Sequence, residues 1–167
     1  MVLGLKAFRG DRTLKRILRL AAAYLKQASA RLKDSKEALE EGNYPYAVRL
    51  SQECVELSLK ASLRLVGIEY PKVHDVSDIL IEAEERFPEW FRAEIRFMAE
   101  ASSILSAKRE IAFYGSEEDL LAPDELISRE EAEEAVRIAE RVLNICSKFL
   151  SELETKIGSK IKSNSYS

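Results

Sequence analysis

A chain of 167 residues, 46% hydrophobic and 33% charged, has the size and makeup of one soluble globular domain, which excludes an intrinsically disordered polymer and requires no second core. Its formal net charge of -3 excludes a surface that is basic as a whole, although local cationic patches survive such averaging. The opening MVLGLKAFRG has one short apolar patch, without a sustained apolar core or a small-residue cleavage site, so neither a signal peptide nor a membrane span is expected.

The first element is a long amphipathic helix with the stripe Leu14, Ile17, Leu18, Ala21, Tyr24, Leu25, Ala28 and Leu32, ending near Gly42 and Asn43. A second helix starts around Tyr44, tolerates Pro45 in its first turn, and buries Ala47, Leu50, Cys54, Leu57, Ala61 and Leu65 before Gly67, Tyr70 and Pro71 break it. Asp75 is placed to cap a shorter helix through Ile79, Leu80 and Ala83. Pro88 opens the next, whose line Phe91, Ile95, Met98, Ser102, Leu105, Arg109 and Ala112 closes at Gly115.

Residues 116–127 form the longest irregular segment. The last helix has a capping box at Ser128 and Glu131, a staple from Ile127 to Ala132, and a stripe from Ala135 through Cys146 to Leu153. The pattern predicts an all-α, antiparallel up-and-down bundle of about five helices over residues 1–158, followed by a flexible polar tail at 159–167. Cys54 and Cys146 lack metal-type spacing and fall inside apolar stripes, which suits buried thiols in a reducing, cytoplasmic compartment.

Candidate functional residues are those whose helical phase conflicts with their polarity. Arg109 follows Ser102 and Leu105 on an inner line, and a sheltered guanidinium must find a carboxylate, a hydrogen-bond acceptor, or an anionic ligand. Gln52, Glu56 and Lys60 follow one another at four-residue intervals on the second helix, with Glu56 a candidate partner for Arg109. His74 is the only histidine, and alone it makes no metal site; no metal and no cofactor is expected. Tyr114 ends the Arg109 helix. Arg9, Arg12, Arg16 and Arg19 recur at three, four and three residues along a stretch whose first 40 residues hold ten Lys and Arg against four Asp and Glu, a patch able to face phosphates. The acidic run Glu130, Glu131, Glu133 and Glu134 suits the electropositive start of a helix.

The segments YPYAVRLSQECVELSLKASLRLVGIEYPKVHDVSDIL, AKREIAFYG and SREEAEEAVRIAERVLNIC resemble the HEPN (higher eukaryotes and prokaryotes nucleotide-binding) domain family over roughly residues 15–150. That resemblance implies a helical bundle, commonly a homodimer, and in some members a nucleotidyltransferase-type partner, as in toxin–antitoxin systems, or metal-independent ribonuclease activity. The ribonuclease branch uses an arginine followed, after four to six intervening residues, by a histidine. Placing the arginine at Arg109 puts Tyr114, Gly115 and Ser116 where the histidine belongs. None can shuttle a proton as imidazole does near neutral pH.

The leading expectation is therefore a non-catalytic domain that dimerises and binds a nucleotidyltransferase-type protein, a nucleotide, or both near Arg109. One alternative is a ribonuclease with Arg109 supplying charge and Tyr114 an inefficient relay on RNA; another is a purely structural or adaptor protein in which Arg109 is paired internally.

Overall fold

The apolar stripes become the buried faces of helices, and the most heavily buried helix lies between the others. The computed structural model describes residues 10–164. Its helices are α1 (Asp11–Glu40), α2 (Tyr44–Leu65), α3 (Ser77–Glu82), α4 (Glu89–Arg92), α5 (Ile95–Tyr114), α6 (Pro123–Leu126) and α7 (Arg129–Asn164), with a 3-10 turn at Glu84–Arg86. Among the described residues there is no strand beyond the isolated bridge between Ser116 and Leu121. No helix among them is long and apolar enough to cross a membrane.

α2 packs against α1, α5 and α7, which explains why it buries residues around most of its circumference. Chain directions follow from paired contacts. Arg31 meets Glu53 and Ser35 meets Ala47, so α1 and α2 are antiparallel. Arg109 meets Gln52 and Arg49 lies over Phe113, so α2 and α5 are antiparallel as well. The Cys54 thiol faces the Ala139 carbonyl while Ser62 neighbours Cys146, so α2 and α7 run parallel. This is the up-and-down bundle expected, with α2 and α7 as its parallel pair.

Several boundaries differ from the sequence expectation. α1 closes at Gly42 and Asn43 as expected, but only Gly42, at φ 77°, takes the left-handed turn; the Asn43 amide bonds back to the Ala38 carbonyl, and its side chain accepts from the Tyr46 amide to start α2. The helix expected from Pro88 is interrupted. α4 lasts one turn, and the Glu94 amide then bonds to the Phe91 carbonyl three residues back, tightening the backbone before α5 begins. The irregular segment contains α6, raising the helix count among the described residues to seven. α7 continues through Gly158 to Asn164 because a single glycine costs only about 1 kcal/mol in a helix interior.

The capping box is present as read: the Glu131 amide donates to Ser128 Oγ and the Ser128 amide to the Glu131 carboxylate, with Ile127 and Ala132 buried beside it.

Candidate functional site on the polar side of α2

Arg49, Glu53, Glu56, Lys60 and Arg64 recur along α2 at intervals of four, three, four and four, so they share one face, and each is only half-buried. α1 contributes Arg31 to this face and α5 contributes Arg109. The helical phase of α5 carries Arg109 into the seam: its side chain is 25% exposed, Nη1 donates to Gln52 Oε1 at 2.6 Å, and the same nitrogen is 3.7 Å from the Glu53 carboxylate.

Gln52 is buried, and both ends of its amide are used. While Oε1 accepts from Arg109, Nε2 donates to Glu56 Oε2 at 2.8 Å. Glu56 also accepts from Lys60 at 2.7 Å and lies 3.0 Å from His74 Nδ1. Burial alone would push the Glu56 carboxyl up, but the hydrogen bonds from Lys60, Gln52 and His74 outweigh it and hold the group below its usual value. Glu56 is therefore not the direct partner of Arg109; its oxygens are already occupied, and Glu53 is the nearby carboxylate.

His74 joins this chain because the α2–α3 connection is tied down behind it. Asp75 accepts from Ser102 Oγ at 2.9 Å and from the Ser77 amide at 2.9 Å, while Ser102 Oγ accepts from the amide of buried Val76. Burial would raise the Asp75 carboxyl, but these bonds more than offset it and leave it lowered. The result is a continuous polar line, His74, Glu56, Gln52, Arg109, joining the α2–α3 connection to α5 across α2. Lys60 is held against it, its ammonium 5.2 Å from the centre of the Tyr70 ring.

Tyr114 lies outside that line. It is 64% exposed, and its ring stacks on Phe113 with centroids 5.6 Å apart. Gly115 then turns the chain at φ 67°, where an added Cβ would stand 2.1 Å from the Leu121 carbonyl oxygen. The basic patch is also separate: Arg12, Arg16 and Arg19 are exposed on α1, and Arg9 lies outside the described residues.

Glu53, Arg49 and the cleft beside Arg49 are not picked out by the sequence pattern. Glu53 takes Arg31 at 2.6 Å, Arg49 at 3.8 Å and Arg109 at 3.7 Å, so three guanidinium groups share one carboxylate. Arg49 also lies over Phe113, 4.2 Å from the ring centre, and its buried Nε has no hydrogen-bond partner. Beside it a cleft of about 420 Å³ opens among Asn43, Tyr46, Arg49, Phe113 and Asp124. The available signal was the four-residue spacing of Arg49 and Glu53, which places Glu53 one turn before the Glu56 and Lys60 pair. This excess of positive charge suits an anion. Among the described residues, no group of three or more His, Cys, Asp or Glu side chains is arranged to hold a metal ion.

The family model for the HEPN domain matches residues 21–150. The Methanocaldococcus jannaschii protein named "Putative toxin MJ1304" is 29% identical over 142 residues, covering 81% of this chain and 91% of that one. The crystal structure of TT1696 from Thermus thermophilus shares the fold at a TM-score of 0.61 and 24% identity, covering 77% of this chain and 96% of that one. ST0689, an archaeal HEPN homologue, is similar at a TM-score of 0.61 and 25% identity, covering 78% and 97%.

Proposed function

Because the chain belongs to the HEPN domain family, we propose that it is a non-catalytic member that dimerises and binds a nucleotidyltransferase-type protein, a nucleotide, or both, through the surface around Arg109 and Arg49. The observation that carries this reading is the environment of Arg109. Its guanidinium is held by Gln52 and lies near Glu53, while the position four intervening residues later is Tyr114, solvent-facing and outside the hydrogen-bonded line. A binding role needs no proton shuttle there. It needs positive charge beside a cleft and an exposed aromatic surface, which Arg49, Phe113 and Tyr114 supply.

The test combines native mass measurement with thermal melting. The proposal expects a homodimer whose Tm rises with added ATP or AMP, the rise being lost in Arg49→Ala and Arg109→Ala, or a nucleotidyltransferase-type protein recovered with it from native extract. Recovery of homodimer alone with no nucleotide-dependent melting shift would overturn it.

A second reading is favoured by His74 and by the toxin name of the Methanocaldococcus jannaschii relative. The imidazole lies against the Glu56 carboxylate, which can orient it, and shares a hydrogen-bonded line with Arg109. In a ribonuclease, His74 would take the proton of an RNA 2'-hydroxyl as its oxygen bonds to the adjacent phosphorus, and Arg109 would stabilise the charge on the phosphate. The P–O5' bond would break with the 5'-oxygen taking a proton from the imidazolium or water, leaving a 2',3'-cyclic phosphate. Cleavage abolished by both His74→Ala and Arg109→Ala would establish this reading over the first.

A further inference from the structure

The outer face of α1 carries a row of cations for which the α2–α5 site has no use. Arg12, Arg16, Arg19 and Lys26 recur at four, three and seven residues, all exposed, with exposed Ala23 continuing the line. Among the described residues none of the four lies within 4 Å of a carboxylate oxygen. Eight other arginines among the described residues lie within 4 Å of a carboxylate oxygen. Arg12, Arg16 and Arg19 also line, with Lys15, a concavity of about 340 Å³, and its lining among the described residues is basic.

We infer that this row is a binding surface for the phosphate backbone of a nucleic-acid duplex, distinct from the site around Arg109. A helix rises about 1.5 Å per residue, so Arg12 to Lys26 extends about 21 Å, close to six base-pair steps. The whole row sits on one uninterrupted helix, Asp11–Glu40, so its spacing is fixed by the helical repeat. Three of the four cations are arginines, whose planar fork matches phosphate oxygens. Arg31, which reaches the Glu53 cluster, lies on α1 about 18 Å beyond Arg19 and about 28 Å beyond Arg12 by the same rise. A membrane surface fits less well, because helices that lie on lipid sink a broad apolar face into it, and the apolar face of α1, with Ala21, Leu25, Ala28 and Leu32, is already buried in the bundle. Contacts to phosphates alone carry no sequence information, so this binding is expected to be independent of sequence.

The experiment uses the full chain and a fluorescein-labelled mixed-sequence 20-bp duplex, with anisotropy followed across a salt series. Four phosphate contacts give a slope of log K against log salt of about -3.6, or about 150-fold weaker binding at 200 mM than at 50 mM. The triple variant Arg12→Gln, Arg16→Gln, Arg19→Gln, all at exposed positions, is expected to melt like the wild type and to flatten the slope by about 2.7. Arg109→Ala is expected to keep the wild-type slope, and a scrambled duplex the wild-type affinity.

A triple variant with an unchanged slope, or wild-type protein that does not bind the duplex at 50 mM salt, overturns the inference. So does loss of binding in Arg109→Ala alone, which would move the contact to the α2–α5 seam. Co-sedimentation with phosphatidylserine vesicles in preference to duplex would assign the row to lipid instead.

Discussion

Replacing Gln52 with leucine tests the polar line at its middle. The substitution keeps the side chain's approximate volume and removes both halves of its amide, so Arg109 loses its 2.6 Å acceptor and Glu56 its 2.8 Å donor. A hydrogen bond to a charged group contributes about 1.5–3 kcal/mol, so the two together set a ceiling of about 3–6 kcal/mol. The actual loss is smaller. Arg109 is one-quarter exposed and can take water in place of the amide, and Glu56 keeps Lys60 and His74. The buried leucine also returns some transfer free energy, leaving an expected destabilisation of about 2–3 kcal/mol. Urea denaturation reads it directly, with the midpoint lowered and the slope m unchanged. A double-mutant cycle with Arg109→Met should show about 1–2 kcal/mol of coupling, since each change removes the same bond. A loss below about 0.5 kcal/mol, or strict additivity in the cycle, would refute the picture of Gln52 as a clamp between the two charged groups.

Three further outcomes are expected. Glu56, Asp75 and Glu131 are all held below their ordinary values of 4.5, 3.8 and 4.5, so the stability they contribute is present above those values and lost as pH falls through the lower folded ones. Tm should be level from pH 7 to about 5 and decline below about 4.5, and a level profile to pH 3 would contradict this. Burial pushes the thiols of Cys54 and Cys146 up to about 12, so a thiol-specific chromogenic reagent at pH 8 should label neither in the native protein and both in denaturant; prompt native labelling would be inconsistent with their packing. Gly115→Ala should lower stability by at least about 2 kcal/mol, or about 4–8 °C in Tm, because the positive φ and the Leu121 carbonyl both oppose a Cβ; wild-type melting would show that the turn readily rearranges.

How far the sequence carries depends on whether the determining contacts are local. The capping box at Ser128 and the inward phase of Arg109 follow from three- and four-residue spacings, and both stand in the structure. The partner of Arg109 was less legible, because Glu53 and Glu56 differ by three residues on the same helix face and phase alone does not separate them. Their distinction depends on α1, which brings Arg31 to Glu53, and on the α2–α3 connection, which brings His74 to Glu56. The latter rests on the Asp75 and Ser102 contact between residues 27 apart in sequence, outside the reach of any helical period. Tyr114 ends α5, as the pattern before Gly115 predicts, but no local spacing specifies that its ring stacks on Phe113 rather than turning toward Gln52.

Labelled single-stranded RNA incubated with purified protein in EDTA, beside Arg109→Ala and His74→Ala, tests the non-catalytic assignment most directly. The account predicts the same background in all three samples, since the position the ribonuclease branch gives to histidine is a solvent-facing tyrosine. Robust cleavage by the wild type that disappears in both variants would contradict it and make the His74 to Arg109 line a catalytic one.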